Sequence, residues 1–115
     1  KGMPHPAEAS LSVAETFVVF PTVCDVAVLK QPDFLPGQSL LPILKNPQAK
    51  GNAAIAYRGS AQTIRTATHQ LIIHREGELE HYDHTTLEGE TKNLAESQPE
   101  KAASLLKQLK ARLAK

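Results

Sequence analysis

The sequence predicts an α+β fold: a small antiparallel sheet of about four strands covered by a C-terminal helix, preceded by a helix and a proline-rich crossover. Three observations predict it. After Ala53 the chain passes through four short runs of strand-forming residues separated by turn residues. Its last stretch repeats apolar residues at helical spacing on one face. Between Lys30 and Lys50 it carries prolines at 32, 36, 42 and 47, half of its 8, so no long element can cross that stretch.

Residues Lys1 to Ser12 are rich in Pro, Gly and Ala and read as irregular. Ser12-Val13-Ala14-Glu15 has the spacing of a capping box. Phe17-Val18-Val19-Phe20 is β-rich, but Pro21 follows at once, and Pro is tolerated in a first helical turn. A short buried helix from about Val19 to Leu29 is therefore expected. Pro36-Gly37 is a turn signal, and Ser39 can cap one short turn in which Leu40, Leu41, Ile43 and Leu44 dock on an apolar surface. Asn46 to Asn52 reads as an exposed connector.

The expected strands are Ala54–Tyr57, Gln62–Thr66, His69–His74 and Glu78–Asp83. Glu76-Gly77 links the last two as a tight hairpin, because Gly can take positive φ. In Ser97-Gln98-Pro99-Glu100, Ser97 offers an N-cap, with Pro in the first turn and Glu three residues after the Ser. Ala102, Leu105, Leu106, Leu109 and Leu113 then form one face, and Lys101, Lys107, Lys110 and Arg112 the other. The late cations suit the helix dipole. One amphipathic helix over one sheet makes a two-layer unit.

Composition narrows the function. With 115 residues the chain is one domain's worth, and 41% hydrophobic against 22% charged residues makes it globular rather than disordered. A net charge of +1 with interspersed signs argues against a nucleic-acid partner. One cysteine, Cys24, allows neither an internal disulfide nor a cysteine-based zinc ribbon. No run is long and apolar enough for a membrane span, and no signal peptide is visible. The first residue is Lys1, so the chain reads as cut from something longer. Low aromatic content hints that part of its apolar surface is meant for a partner.

Several residue sets could carry chemistry. His69, His74, His81 and His84 cluster with Asp83. Alternation along a strand sends His81 and Asp83 to one face and Tyr82 and His84 to the other. A metal would need three or four of these to converge within about 2–2.5 Å of it, which the spacing does not enforce, so packed or solvated histidines are the plainer reading. Cys24 sits among valines, where a thiol stays neutral and unreactive. Arg65, between Ile64 and Thr66, either pairs with a carboxylate or presents its fork to an anion. The acids at Glu76–Glu80 and Glu88-Gly89-Glu90 fall in turns or on an exposed strand and read as solvated. No glycine-rich phosphate loop is present. On motifs alone the chain carries no catalytic set.

Five segments in order carry a resemblance. Phe20-Pro21-Thr22-Val23-Cys24-Asp25-Val26-Ala27, Gly37-Gln38-Ser39-Leu40-Leu41-Pro42-Ile43-Leu44 and Thr63-Ile64-Arg65-Thr66 are the first three. His81-Tyr82-Asp83-His84 with Glu90-Thr91-Lys92-Asn93-Leu94-Ala95, and the terminal helix, complete the set. Together they resemble the C-terminal part of the sulfatases, nearest the iduronate-2-sulfatase-like members, from about Glu15 to Leu113. There are departures. Val18 stands where the family commonly has Asp, Val28 where it has Gly after Ala27, and Leu87-Glu88 where it has Asp-Pro. Ala67-Thr68-His69-Gln70 replaces a stretch usually richer in Arg and aromatics.

The resemblance implies that residues 1–50 end an α/β catalytic domain as its last helix and crossover, and that 51–115 form the sulfatase C-terminal subdomain. It implies a sulfuric ester hydrolase as the parent, with an upstream catalytic domain as this chain's partner and a sulfated carbohydrate as substrate. The family's formylglycine arises from Cys-x-Pro-Ser-Arg, but Cys24 is followed by Asp25-Val26-Ala27. The nucleophile and the calcium set are thus expected upstream, with no catalytic residue, metal ligand or cofactor in this chain. Arg65 and His69 are the candidates for the rim of the substrate cleft. Secreted, periplasmic or lysosomal location is the family's habit. The alternatives are a non-enzymatic α+β binding or interaction module, or part of an inactive sulfatase homologue.

Overall fold

The computed structural model describes Pro4, residues 8–35 and residues 37–114. Pro36 of the expected Pro36-Gly37 turn, and residues 1–3 and 5–7 of the expected irregular start, lie outside the described residues. The chain divides into two compact units, Lys1–Asn52 and Ala53–Lys115.

In the first unit a 3-10 turn, Thr16–Val18, leads into helix α1, Val19–Val26. Pro21 falls in the first helical turn, where the missing N–H has no intrahelical acceptor to lose. Val18, Pro21 and Cys24 are buried, which is one face at three-residue spacing. The Ser12–Glu15 capping box does not form. Glu15 precedes the 3-10 turn without a side-chain cap. The Ser12 hydroxyl instead donates to the Ala49 carbonyl at 3.3 Å, and Ser10 donates to the Pro47 carbonyl at 2.8 Å. These bonds make the 46–52 connector less exposed than expected, and Pro47 is buried.

The helix stops at Val26, short of the expected Leu29, because Val28 turns left-handed, with φ 58°. Leu29 N–H then reaches back to the Cys24 carbonyl at 2.8 Å, and Val28 N–H to Asp25 at 3.3 Å. This is a Schellman-type ending. Helix α2 is the short turn Leu41–Lys45. Ser39 serves it from one residue before the cap position: its hydroxyl accepts the Leu41 N–H at 3.0 Å. Thr22 of α1 accepts the Leu40 N–H at 2.8 Å, pinning the start of α2 to α1. Gly37 is buried so close to the Phe17 carbonyl that a Cβ would overlap it.

The second unit holds strands β1 Ala54–Arg58, β2 Ala61–Arg65, β3 His69–Ile73 and β4 Leu79–Asp83. They form one antiparallel sheet in sequence order. The expected strands are present with ends moved by a residue, since ladder ends fray. Gly77 takes φ 94° in the last hairpin, as the Glu76-Gly77 link requires. Register aligns Ile55, Ile64, Leu71 and His81 in one row across the sheet.

Helix α3, Pro99–Leu113, covers the middle of that row with Ala102, Leu105 and Leu109, which close the core with Ile64 and Leu71. Leu106 is only partly buried at the core's edge, with Leu113 and Ile73. Ser97 is not the N-cap. Gln98 holds that position without a side-chain bond, and the Ser97 hydroxyl donates to the Leu94 carbonyl at 3.4 Å. Proline at the first helical position lessens the need for a cap, since it removes one orphan N–H. Arg112 Nη1 donates to the Ala53 carbonyl at 2.7 Å, tying the last turn to the unit's first residue. Among the described residues no helix is long and apolar enough to cross a membrane.

Candidate functional site

The β2–β3 hairpin places the two rim candidates. Arg65 ends β2 and His69 begins β3, with Ala67-Thr68 exposed between them. Thr66 builds the turn: its hydroxyl accepts the His69 N–H at 2.9 Å, and its N–H donates to the His69 carbonyl at 2.8 Å. Strand alternation puts the two candidates on opposite faces. Arg65 shares a row with Gln70 and Tyr82 on the face away from α3, while His69 lies on the α3 side, level with Asp83. They therefore meet only at the turn end of the hairpin, not on one surface. Arg65 Nη1 is enclosed and has no hydrogen-bond partner among the described residues.

The histidines divide the same way. On the α3 side His69 and His81 meet edge to face with ring centres 5.3 Å apart. His69 Nδ1 stands 3.5 Å from Asp83 Oδ1, and the geometry leaves that nitrogen without a hydrogen bond. His81 is fully buried, and neither ring nitrogen has a partner. Burial first, then the positive charges of His69 and Lys101, hold its pKa below the ordinary imidazole value. Asp83 is held below the carboxylate range by the Thr85 hydroxyl and N–H, which both bond its Oδ1.

On the other face Glu80 collects two bonds. The Tyr82 hydroxyl donates to Oε2 at 2.6 Å, and His74 Nε2 lies 2.8 Å from Oε1. Donation from Tyr82 first, then His74, lowers the Glu80 pKa, while the Tyr82 phenol is pushed up to about 12 by holding its proton on Glu80. Glu80 is thus engaged rather than solvated, a correction that strand alternation could have supplied. His84 Nε2 stands 3.6 Å from Glu90.

Asn93 escaped any reading from the residues themselves and surfaced only within the resemblance. Its Oδ1 accepts the N–H groups of His81 at 3.0 Å and Ala95 at 2.9 Å, and its amide donates to the Leu79 carbonyl at 3.2 Å. It fastens the segment after β4 along that edge strand. Cys24 is buried and unpaired in α1. Among the described residues no three His, Cys, Asp or Glu side chains are grouped to hold a metal ion.

This geometry is a scaffold with a polar hairpin end. Its structural neighbours are sulfatases. The structure titled BT4656 in complex with its substrate D-glucosamine-2-N,6-O-disulfate matches with a TM-score of 0.62 and 25% identity, over 79% of this chain and 22% of that one. A candidate sulfatase from Bacteroides thetaiotaomicron VPI-5482 matches with a TM-score of 0.58 and 25% identity, over 84% of this chain and 23% of that one. BT1596, a 2-O GAG sulfatase, matches in fold with a TM-score of 0.58 and 23% identity, over 84% and 23%. The chain spans less than a quarter of each of these neighbours. No family model and no curated protein matches it.

Proposed function

We propose that this chain is the C-terminal, non-catalytic portion of a sulfatase, which packs on an upstream catalytic domain and shapes one wall of a cleft for a sulfated carbohydrate. The observation that carries the reading is the disproportion in coverage: most of this chain aligns with less than a quarter of each neighbouring sulfatase. The remainder of such a protein would hold the formylglycine nucleophile and a calcium ion, a hard cation that polarises sulfate oxygens. Residues 1–50 would close the α/β catalytic domain and 51–115 would form the subdomain. An iduronate-2-sulfatase-like parent, outside the cytosol, is the closest version of this reading.

Packing chemistry supports the same view. Phe17, Val19, Phe20, Val23 and Val26 are all exposed on and beside α1, opposite its buried Pro21 and Cys24. An apolar stripe of this kind marks a surface meant to be covered. Arg65 and His69 flank the hairpin tip that would approach the substrate. The enclosed Arg65 Nη1 supports a role for that guanidinium toward an anion or a carboxylate of the missing domain.

The test is a pair of assays. The 115-residue chain alone should release no sulfate from an aryl sulfate above a heat-killed control. The parent, with the sequence preceding Lys1 restored, should hydrolyse a sulfated glucosamine. Activity in the chain alone, or an inactive parent whose upstream sequence lacks Cys-x-Pro-Ser-Arg, overturns the proposal.

A further inference from the structure

We infer that Val28 anchors this chain to the domain that precedes it: the left-handed turn after α1 holds the side chain out in water, where that upstream surface covers it. The inference rests on the reading of the chain as the end of a longer sulfatase. Its own observation is a backbone strain that nothing within the chain offsets. Val28 has φ 58°, a region that β-branched residues avoid because Cβ crowds the following carbonyl oxygen. Among the described residues no other non-glycine residue has positive φ. A buried residue can be held in such a conformation by its packing, but Val28 is 91% exposed. Uncompensated strain of this kind collects at contact and ligand sites.

The turn is also fixed in place. Leu29 N–H donates to the Cys24 carbonyl at 2.8 Å, the Gln31 side-chain amide to the Gly37 carbonyl at 3.2 Å, and Leu35 N–H to the Pro32 carbonyl at 3.2 Å. On this framework Val26, Val28 and Leu29 are exposed, and so is Phe34 in the Pro32–Leu35 turn. Asp25, Lys30 and Asp33 stand exposed among them. Apolar side chains with charged neighbours have the make-up of an interface core and its rim. A loop already ordered loses little entropy when it binds. A turn needed only to stop α1 in water would be served by Gly, which takes positive φ without steric cost.

The upstream domain is the occupant because it is tethered. The neighbouring sulfatases match most of this chain over less than a quarter of their own lengths, so in that reading the larger part of the molecule is joined to this segment by one polypeptide. A tethered surface acts at an effective concentration that a second copy reaches only in concentrated solution. The exposed residues of α1 supply the breadth of the contact, and Val28 extends it past the end of the helix.

Thiol labelling of Val28→Cys tests this. It is read at that position by peptide mass spectrometry, in the 115-residue chain and in the parent with the sequence preceding Lys1 restored, both dilute enough to be monomeric. Labelling should be at least tenfold slower in the parent. Val28→Gly should move stability in opposite directions: the urea midpoint of the chain alone rises as the strain goes, and that of the parent falls as the anchor is lost. Slow labelling in a parent that hydrolyses no sulfate ester upholds the contact and counts only against the sulfatase reading. Equal labelling in the two proteins, or a midpoint that Val28→Gly raises in both, overturns the inference. Protection in the parent that disappears on dilution assigns Val28 to a contact between copies and overturns it too.

Discussion

Val28 occupies a backbone conformation that a β-branched side chain resists. Its φ of 58° is the left-handed position that ends a Schellman turn, and Gly normally fills it. An L-residue there costs about 1–2 kcal/mol, and Val gains nothing in return, being 91% exposed. Val28→Gly should therefore stabilise the first unit by about 1 kcal/mol after the entropy Gly loses on folding is counted. Denaturant titration followed in α1 would measure it, and an unchanged midpoint would mean that the turn relaxes in solution. At this scale the sequence was only partly legible. The departure at Val28 was visible from the resemblance, yet Val28 was not seen to end the helix, because apolar periodicity alone continues through Leu29. Arg65 and His69 stand out in the sequence only as rim candidates, and their opposite faces follow from strand alternation through a two-residue turn. The Glu80 network was missed because a run of acids reads as solvated until cross-strand partners are known.

The elements of the second unit carry their own evidence. Period-two runs, a Gly at the hairpin turn and leucines at helical spacing each agree with the fold they join, and four strands and α3 follow from them. Which leucines matter most is less visible in the sequence, since Leu105, Leu106 and Leu109 lie within one arc of the helical wheel. Packing separates them. Leu105 and Leu109 are buried against Ile64 and Leu71, whereas Leu106 sits at the edge. Leu109→Ala should cost about 2–5 kcal/mol of stability, and Leu106→Ala clearly less. Equal losses from the two variants in urea would contradict the assigned helix rotation. Caps were the weak point of the sequence reading. Ser39 and Ser97 make local side-chain bonds, Ser12 bonds the distant Ala49 carbonyl, and none occupies the cap position itself. Hydroxyls compete for several nearby backbone groups, so spacing alone does not choose among them.

At the scale of the whole molecule, the two units differ in how much of their apolar surface they can cover. The second closes a core of its own. The first leaves Phe17, Val19, Phe20, Val23 and Val26 exposed along and beside α1, as its prolines and short helices foreshadow. Isolated chains should associate through that stripe. Val23→Asp, at an exposed position, should weaken association roughly tenfold or more by burying an unpaired charge in any contact, while leaving the fold intact. Sedimentation across a concentration series would report it. A monomeric wild-type chain at every concentration would mean that the stripe is tolerated by water.

The order of the sheet also has a consequence in time. Every strand pairs with its neighbour in sequence, so each hairpin can close soon after it leaves the ribosome, with little loop entropy to overcome. The cover comes last. Leu105, Leu109 and Arg112 are synthesised after every strand, and at about 5–20 residues per second the strands must wait for them with Ile64 and Leu71 bare. A chain truncated before Arg112 would lack the tie to Ala53 that joins the last turn of α3 to the start of this unit. The nascent sheet is therefore most vulnerable to aggregation in the seconds before α3 emerges to cover it.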